Sequence, residues 1–230
     1  MHAKSDSHVS HSLNDMSTIK ERQMDPHSHA IILDPFFGKI AFVPDLGMDL
    51  IRQLVFDPCN GILYPRGEIK SGEEHRKALG PRYIEFHPTL SIAYVVNELS
   101  SEVAVFRFNQ EKAKRNIDLL KTKGKNQRKF GRKNWDLYDF HVAFRLFYIL
   151  VISDIDGSLH SPPEQCLELI QTISTIPSAY PNSLNTCGRI TVHTTGRFVL
   201  VSNRGHNSIC VLSVEKYSGL LQVNKFFLLI

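Results

Sequence analysis

RYIEFHPTLSIAYVVNEL, residues 82–99, decides the fold. It holds a short run rich in β-branched and aromatic residues, a tight turn at His87-Pro88-Thr89, a second such run, and the charged Glu98 where that run ends. HAIILDPFFGKIAFVPDLG at 29–47 and GRITVHTTGRFVLVSNRGH at 188–206 have the same plan. Registering the copies on Pro35, Pro88 and Thr194 uses offsets of 53 and then 106 residues; it aligns Asp45 with Glu98 and Arg204, and His29 with Arg82 and Gly188. A repeat that keeps its strands while varying the chemistry at equivalent points builds one site from several radially arranged units.

Working outward, each copy is followed by a third β-rich run, at 50–56, 103–108 and 209–214, and by a weaker outer one near 61–69, 167–174 and 219–224. Four antiparallel strands per unit is the size of a propeller blade, so the expected class is all-β: a propeller fragment of about three four-stranded blades. An ordinary sandwich of hairpins is the alternative, but a sandwich does not require three-fold internal similarity. At about 50 residues per repeat, the 230-residue chain has room for three blades and an insertion, while a closed ring needs at least four blades. The expected division is a disordered segment at 1–20, two repeats at 21–110, an insertion at 111–160 and a third repeat at 161–230 with a truncated end. Alone, such an arc leaves blade faces without neighbours, which predicts poor folding or inactivity.

The insertion differs in composition. From Glu111 to Lys133 there are ten basic residues against two acidic ones, enough to account for the whole formal charge of +4. Such a stretch is either a patch for an anionic partner or a solvated loop, and the absence of any recognition motif favours the loop, without stable packing over 111–135 and with no specific nucleic-acid partner. The apolar run Phe140–Ile152 contains an arginine and is too short for a membrane span of about 20 residues, so no membrane partner is expected. No apolar leader stands in residues 1–20, and Cys59, Cys166, Cys187 and Cys210 form no CxxC pair, which fits a reduced, cytoplasmic setting. No phosphate loop, serine nucleophile elbow or HExxH pattern occurs.

Several motifs in order carry a resemblance: Glu21-Arg22-Gln23, Pro26-His27-Ser28-His29, Pro44-Asp45-Leu46-Gly47-Met48-Asp49, Gly80-Pro81-Arg82, His87-Pro88, Val96-Asn97-Glu98-Leu99 and Ser202-Asn203-Arg204-Gly205-His206. The chain resembles the lactonase family with a seven-bladed β-propeller, which includes propeller-type 6-phosphogluconolactonases and carboxymuconate-lactonizing enzymes. The motifs cover roughly 21–110 and 164–222; no counterpart is evident for the insertion, and the likeness fades over 223–230, so both read as foreign to the domain, in the manner of an aberrant gene model.

The resemblance implies hydrolysis of a lactone ring, with 6-phosphogluconolactone or a related anionic sugar lactone as substrate; muconate-type lactonizing chemistry and a non-catalytic scaffold are the alternatives. It also implies a catalytic set of His27 or His29 with Arg82, Glu98 and Arg204, and substrate binding by Arg82, Arg204 and His206. Opening a cyclic ester needs a water activated against the carbonyl carbon and donors where the oxyanion develops. Glu98 or a histidine suits the base, and the planar forks of Arg82 and Arg204 suit a phosphate, a carboxylate or the oxyanion. The bland readings are that the arginines pair with Glu98 or Asp45 as ion pairs between blades, that His27 and His29 cap turns, and that Asp45 and Asp49 shape a turn. No spacing fixes a metal set around His27 and His29, and no cofactor is expected. Arg189 is an added positive charge where relatives tend to carry Glu.

Overall fold

The computed structural model describes residues 21–76, 78–123 and 164–229. Their strands form three antiparallel four-stranded sheets, a partial propeller. The first blade runs β1 (Ile32–Leu33), β2 (Ile40–Asp45), β3 (Leu50–Asp57) and β4 (Ile62–Lys70), paired in that order. The second is β5 (Pro81–Phe86), β6 (Ile92–Asn97), β7 (Glu102–Phe108) and β8 (Leu167–Ser174). The third is β9 (Thr186–Val192), β10 (Phe198–Arg204), β11 (Ser208–Val214) and β12 (Leu221–Leu228).

The turn between the first two strands of each blade is closed by the residue at one repeat position. Asp34 accepts the backbone N–H groups of Phe36, Phe37, Lys39 and Ile40 at 2.6–3.0 Å. His87 Nδ1 accepts those of Thr89 and Leu90 at 3.1 and 2.9 Å. A ring nitrogen that accepts leaves the proton on the other, so His87 Nε2 donates to the Gly196 carbonyl at 3.0 Å and ties the second blade to the third. His193 holds the third turn through Thr195 Oγ1 at 2.8 Å.

The core lies between the blades. Because successive strand residues face opposite sides, Ala93 and Val95 meet Ile40, Phe42 and Ile51 of the first blade, while Tyr94 and Val96 meet Ile190, Val199 and Val201 of the third. β6 of the middle blade is thus buried on both faces and reads as an almost unbroken apolar run, whereas β10 of the third alternates buried with half-buried positions.

Three expectations change. The basic stretch contains a packed helix, α1 (Gln110–Lys123), started by Asn109, whose Oδ1 accepts the Lys112 N–H at 3.0 Å. Ala113, Ile117 and Leu120 form a stripe at helical spacing that joins the core between the first two blades, and Asn116 Nδ2 donates to the Glu164 carbonyl at 2.7 Å. Residues 111–123 are therefore not an unpacked loop; Glu111, Lys114 and Arg115 are exposed beside the apolar stripe of an amphipathic helix, and the charge count hides that stripe. The outer strand after α1, β8, completes the second blade, as the run at 167–174 predicts, so the third repeat begins beyond it rather than at 161; β8 pairs with β7 from Glu102↔Ser174 to Phe108↔Leu167. The terminal stretch is not foreign to the fold either: β12 continues to Leu228, paired with β11 from Val214↔Leu221 to Ser208↔Leu228 with one register shift at Asn224. The expectations for residues 1–20 and for 124–160, including the apolar run Phe140–Ile152, lie outside the described residues.

Candidate functional site

Glu98 stands one residue beyond β6, where the chain leaves the inner part of the middle blade, and it is wholly buried. A carboxylate without water requires compensating charge. Three arginines supply it. Arg22 Nη2 reaches Oε1 at 2.9 Å from the segment ahead of the first blade, Arg204 Nη2 reaches the same oxygen at 2.9 Å from the end of β10, and Arg82 Nη1 on β5 bonds Oε2. Arg204 Nη2 also donates to the Cys187 carbonyl at 2.9 Å. The repeat explains the convergence of two of these groups on Glu98, since Glu98 and Arg204 occupy the same register position and Arg82 the inner strand beside it. Its third equivalent, Asp45, is spent locally: the carboxylate accepts the His27 N–H at 2.8 Å and the Met48 N–H at 3.1 Å and pairs with Arg52 at 3.3 Å. Asp45 and Asp49 are turn and junction residues.

Burial pushes the Glu98 carboxyl upward, but the guanidiniums of Arg82, Arg204 and Arg22 outweigh it and hold the group below the usual glutamate value. One carboxylate against three guanidiniums leaves a net positive charge of two at the group. Arg204 and Arg22 keep side-chain exposures of 50% and 38%, so part of that charge faces outward.

His29 belongs to the same neighbourhood. It follows the isolated bridge Ser28↔Asp45, and its N–H donates to the Pro44 carbonyl at 3.2 Å. Its pKa lies below the ordinary histidine value, first through burial and then through the positive field of Arg82, with Glu98 opposing and Arg22 and His27 adding to the lowering. His29 Nε2 and Arg82 Nε are buried and have no hydrogen-bond partner among the described residues. In the tautomer that keeps its proton on Nδ1, the neutral ring would hold an unused lone pair on Nε2 beside cationic donors.

Of the two histidines, His29 is the one within this group. His27 is exposed, and its backbone closes the Asp45 turn through its N–H and through its carbonyl, which accepts the Leu46 N–H at 2.9 Å. His206 is placed elsewhere: its Nδ1 lies 2.7 Å from Ser208 Oγ, and its ring meets Tyr180 and Phe226 edge-on at 4.7 and 5.9 Å, so it joins the Glu98 group through no described contact. Arg22 is the member that the spacing of the repeat does not find, because it precedes the first copy; the motif Glu21-Arg22-Gln23 was its one signal. Among the described residues, no three His, Cys, Asp or Glu side chains gather as a metal set, and no helix is long and apolar enough to cross a membrane.

The model of the family described as "Lactonase, 7-bladed beta-propeller" matches residues 2–135 and 140–228. The match is wider than the motifs suggest: it extends past 110 to 135 and continues to within two residues of the last residue. A 6-phosphogluconolactonase of Bacillus subtilis is 29% identical over 201 residues, covering 86% of this chain and 40% of that protein. Two solved structures share the fold: a protein from Lactobacillus plantarum, with a TM-score of 0.59 and 20% identity over 90% of this chain and 42% of that one, and the periplasmic gluconolactonase of Pseudomonas aeruginosa, with a TM-score of 0.56 and 20% identity over 92% and 44%. The chain thus spans less than half the length of these relatives. Blade architecture, the ordered motifs and the match of the family model together establish that the chain belongs to the lactonase family of the seven-bladed β-propeller.

Proposed function

We propose that this chain contributes the catalytic group for hydrolysis of an anionic sugar lactone, 6-phosphogluconolactone or a close relative. The observation that carries the reading is the unpartnered Nε2 of a neutral His29 beside three arginines gathered on one buried carboxylate. His29 Nε2 takes a proton from water as the oxygen bonds to the lactone carbonyl carbon. The carbonyl π pair moves onto its oxygen, and the arginines stabilise the resulting oxyanion. When the oxyanion collapses, the bond to the ring oxygen breaks, and the leaving alkoxide takes the proton back from His29. The products are an open-chain hydroxy acid and a regenerated neutral imidazole.

Glu98 has a different task from the base suggested by residue type. Both of its oxygens are engaged and its pKa is lowered, so it is a poor proton acceptor and instead fixes the direction of the guanidiniums. It is a positioning residue. The test measures turnover of 6-phosphogluconolactone and of glucono-δ-lactone by the full chain and by His29→Asn. Loss of His29 is expected to slow the chemical step by a factor on the order of 10²–10⁴ with the melting temperature nearly unchanged. Undiminished turnover in that variant, or no turnover of either lactone by the parent chain, overturns the proposal.

A further inference from the structure

Beside the Glu98 group, the inner edge strands of the second and third blades carry a second arrangement. Tyr83 on β5 has the Arg82 guanidinium carbon 5.4 Å from its ring centroid and that of Arg189, on β9, at 4.7 Å. The two guanidinium carbons are therefore no more than about 10 Å apart. Arg189 Nη2 also meets Glu85 Oε1 at 3.1 Å across the same blade junction. Its backbone N–H is held by Ser202 Oγ at 2.9 Å, so the side chain projects from an anchored position.

Blade cohesion is a weak account of this pair. The Arg189 side chain is 61% exposed and that of Glu85 27%, and ion pairs of this kind contribute about 0–1 kcal/mol. The apolar contacts and buried hydrogen bonds of the same junction already hold it. What the pair does provide is a cation fixed over an aromatic ring, with donors beyond Nη2 that have no described partner, within one small molecule's length of the proposed carbonyl site.

We propose that Arg189 and Tyr83 form a subsite for a phosphate monoester at the end of the substrate remote from the reacting carbonyl, with Glu85 as a competing carboxylate that sets selectivity. The inference rests on the lactonase reading for the identity of the ligand, but the subsite is a matter of binding alone. A phosphate dianion carries more charge and more acceptor oxygens than Glu85 and takes over the guanidinium; a hydroxyl at the same point carries neither advantage and leaves the ion pair in place. The arginine's planar fork and its stacking on Tyr83 both matter, so lysine is a poor substitute.

The experiment is calorimetric titration of the full chain with 6-phosphogluconate and with gluconate, which share the carboxylate and differ in the phosphate. The parent chain is expected to prefer 6-phosphogluconate, and Arg189→Gln to weaken that ligand about tenfold while leaving gluconate unchanged. Arg189→Lys is expected to fall between the two, and Glu85→Gln to strengthen 6-phosphogluconate alone. Circular dichroism melting of each variant separates a binding loss from unfolding; should Arg189→Gln be destabilised, the Lys and Glu85 variants decide. Equal affinity of the parent chain for both ligands, or equal loss of both in Arg189→Gln, overturns the subsite. Discrimination between the two ligands without lactone turnover would retain the subsite and sink the catalytic reading, whereas turnover without discrimination would do the reverse.

Discussion

The two blade junctions are copies of one joint fastened by different chemistry. Asn97 and Asn203 occupy the same repeat position, and each donates its amide N–H to the carbonyl of the residue just beyond the preceding blade's outer strand: Asn97 to Ser71 at 2.9 Å and Asn203 to Thr175 at 2.7 Å. There the likeness stops. Asn203 Oδ1 lies 2.9 Å from the Thr175 hydroxyl and accepts from Asn185 Nδ2 at 3.2 Å, and Asn185 also reaches Ser101 Oγ at 2.8 Å. At the first junction the position of Asn185 is taken by the fully buried Leu79, and Asn97 Oδ1, Ser71 Oγ and Ser100 Oγ are buried without a hydrogen-bond partner among the described residues. The first junction compensates with a carboxylate: Asp49 Oδ1 accepts the Leu79 and Gly80 N–H groups at 2.8 and 2.7 Å. A repeat thus conserves the bond that sets the angle between blades and leaves the surrounding donors free to change.

Glu98 bridges both junctions, because its arginines come from ahead of the first blade, from the second and from the third. Glu98→Gln therefore strikes both joints, and removing the charge of a buried pair costs about 3–5 kcal/mol, the low end applying here because Arg22 and Arg204 are partly exposed. Urea unfolding of the variant at neutral pH checks it. A loss confined to catalysis, with unfolding unchanged, would remove the bridging role.

The next effect separates the joints. Asn203→Ala takes one of the two acceptors from the Asn185 amide and removes bonds to Thr175 and Ser208, for an expected loss of about 2–3 kcal/mol, while Asn97→Ala gives up one bond and an oxygen that was already unpartnered, for about 1 kcal/mol. Equal losses in the two variants would show that the difference between the junctions carries no energy. Asp49→Asn sharpens the comparison from the other side. Asparagine tolerates the backbone of Asp49, whose φ is 58°, and retains an acceptor, so what is lost is the charge assistance to the Leu79, Gly80 and Gln23 donors, about 1 kcal/mol by denaturant titration.

The blades were legible because repeat spacing and turn chemistry coincide: Asp34, His87 and His193 close their turns at one repeat position, and the runs flanking those turns are rich in β-branched and aromatic residues. The Glu98–Arg204 convergence was legible for the same reason. Charge summed over a window concealed α1, since Ala113, Ile117 and Leu120 are a minority in a basic stretch but share one face. Arg22 was hidden because it lies outside the repeat, and the choice between His27 and His29 turned on a two-residue difference in exposure that alternation alone does not rank. What no spacing carries is how many cations share the Glu98 carboxylate, and that number is what bears on the choice between Glu98 and a histidine as base.

The smallest expected effect is a pH dependence that isolates His29. Its folded pKa lies below the unfolded value near 6.5, chiefly because burial disfavours the imidazolium, with Arg82 next. Between the folded value and 6.5 the unfolded chain holds the extra proton, so stability is undiminished above 6.5, declines as pH falls below it, and stops declining on this account once the folded histidine protonates. Glu98 has a depressed pKa as well; its contribution is present above its unfolded value near 4.5 and is lost as pH falls through the folded value, so its window opens lower than that of His29. His87 is also lowered, by burial opposed by its bond to Gly196, and contributes to the upper window. His29→Asn should therefore flatten, without abolishing, the decline in unfolding free energy as pH falls below about 6.5, leaving a remainder due to His87. In the proposed mechanism the same neutral form accepts a proton from water, so turnover by the parent chain should fall as pH drops through the folded His29 value. A stability profile unchanged by His29→Asn would mean that the ring is not desolvated beside Arg82, and with that the warrant for His29 as the base would go.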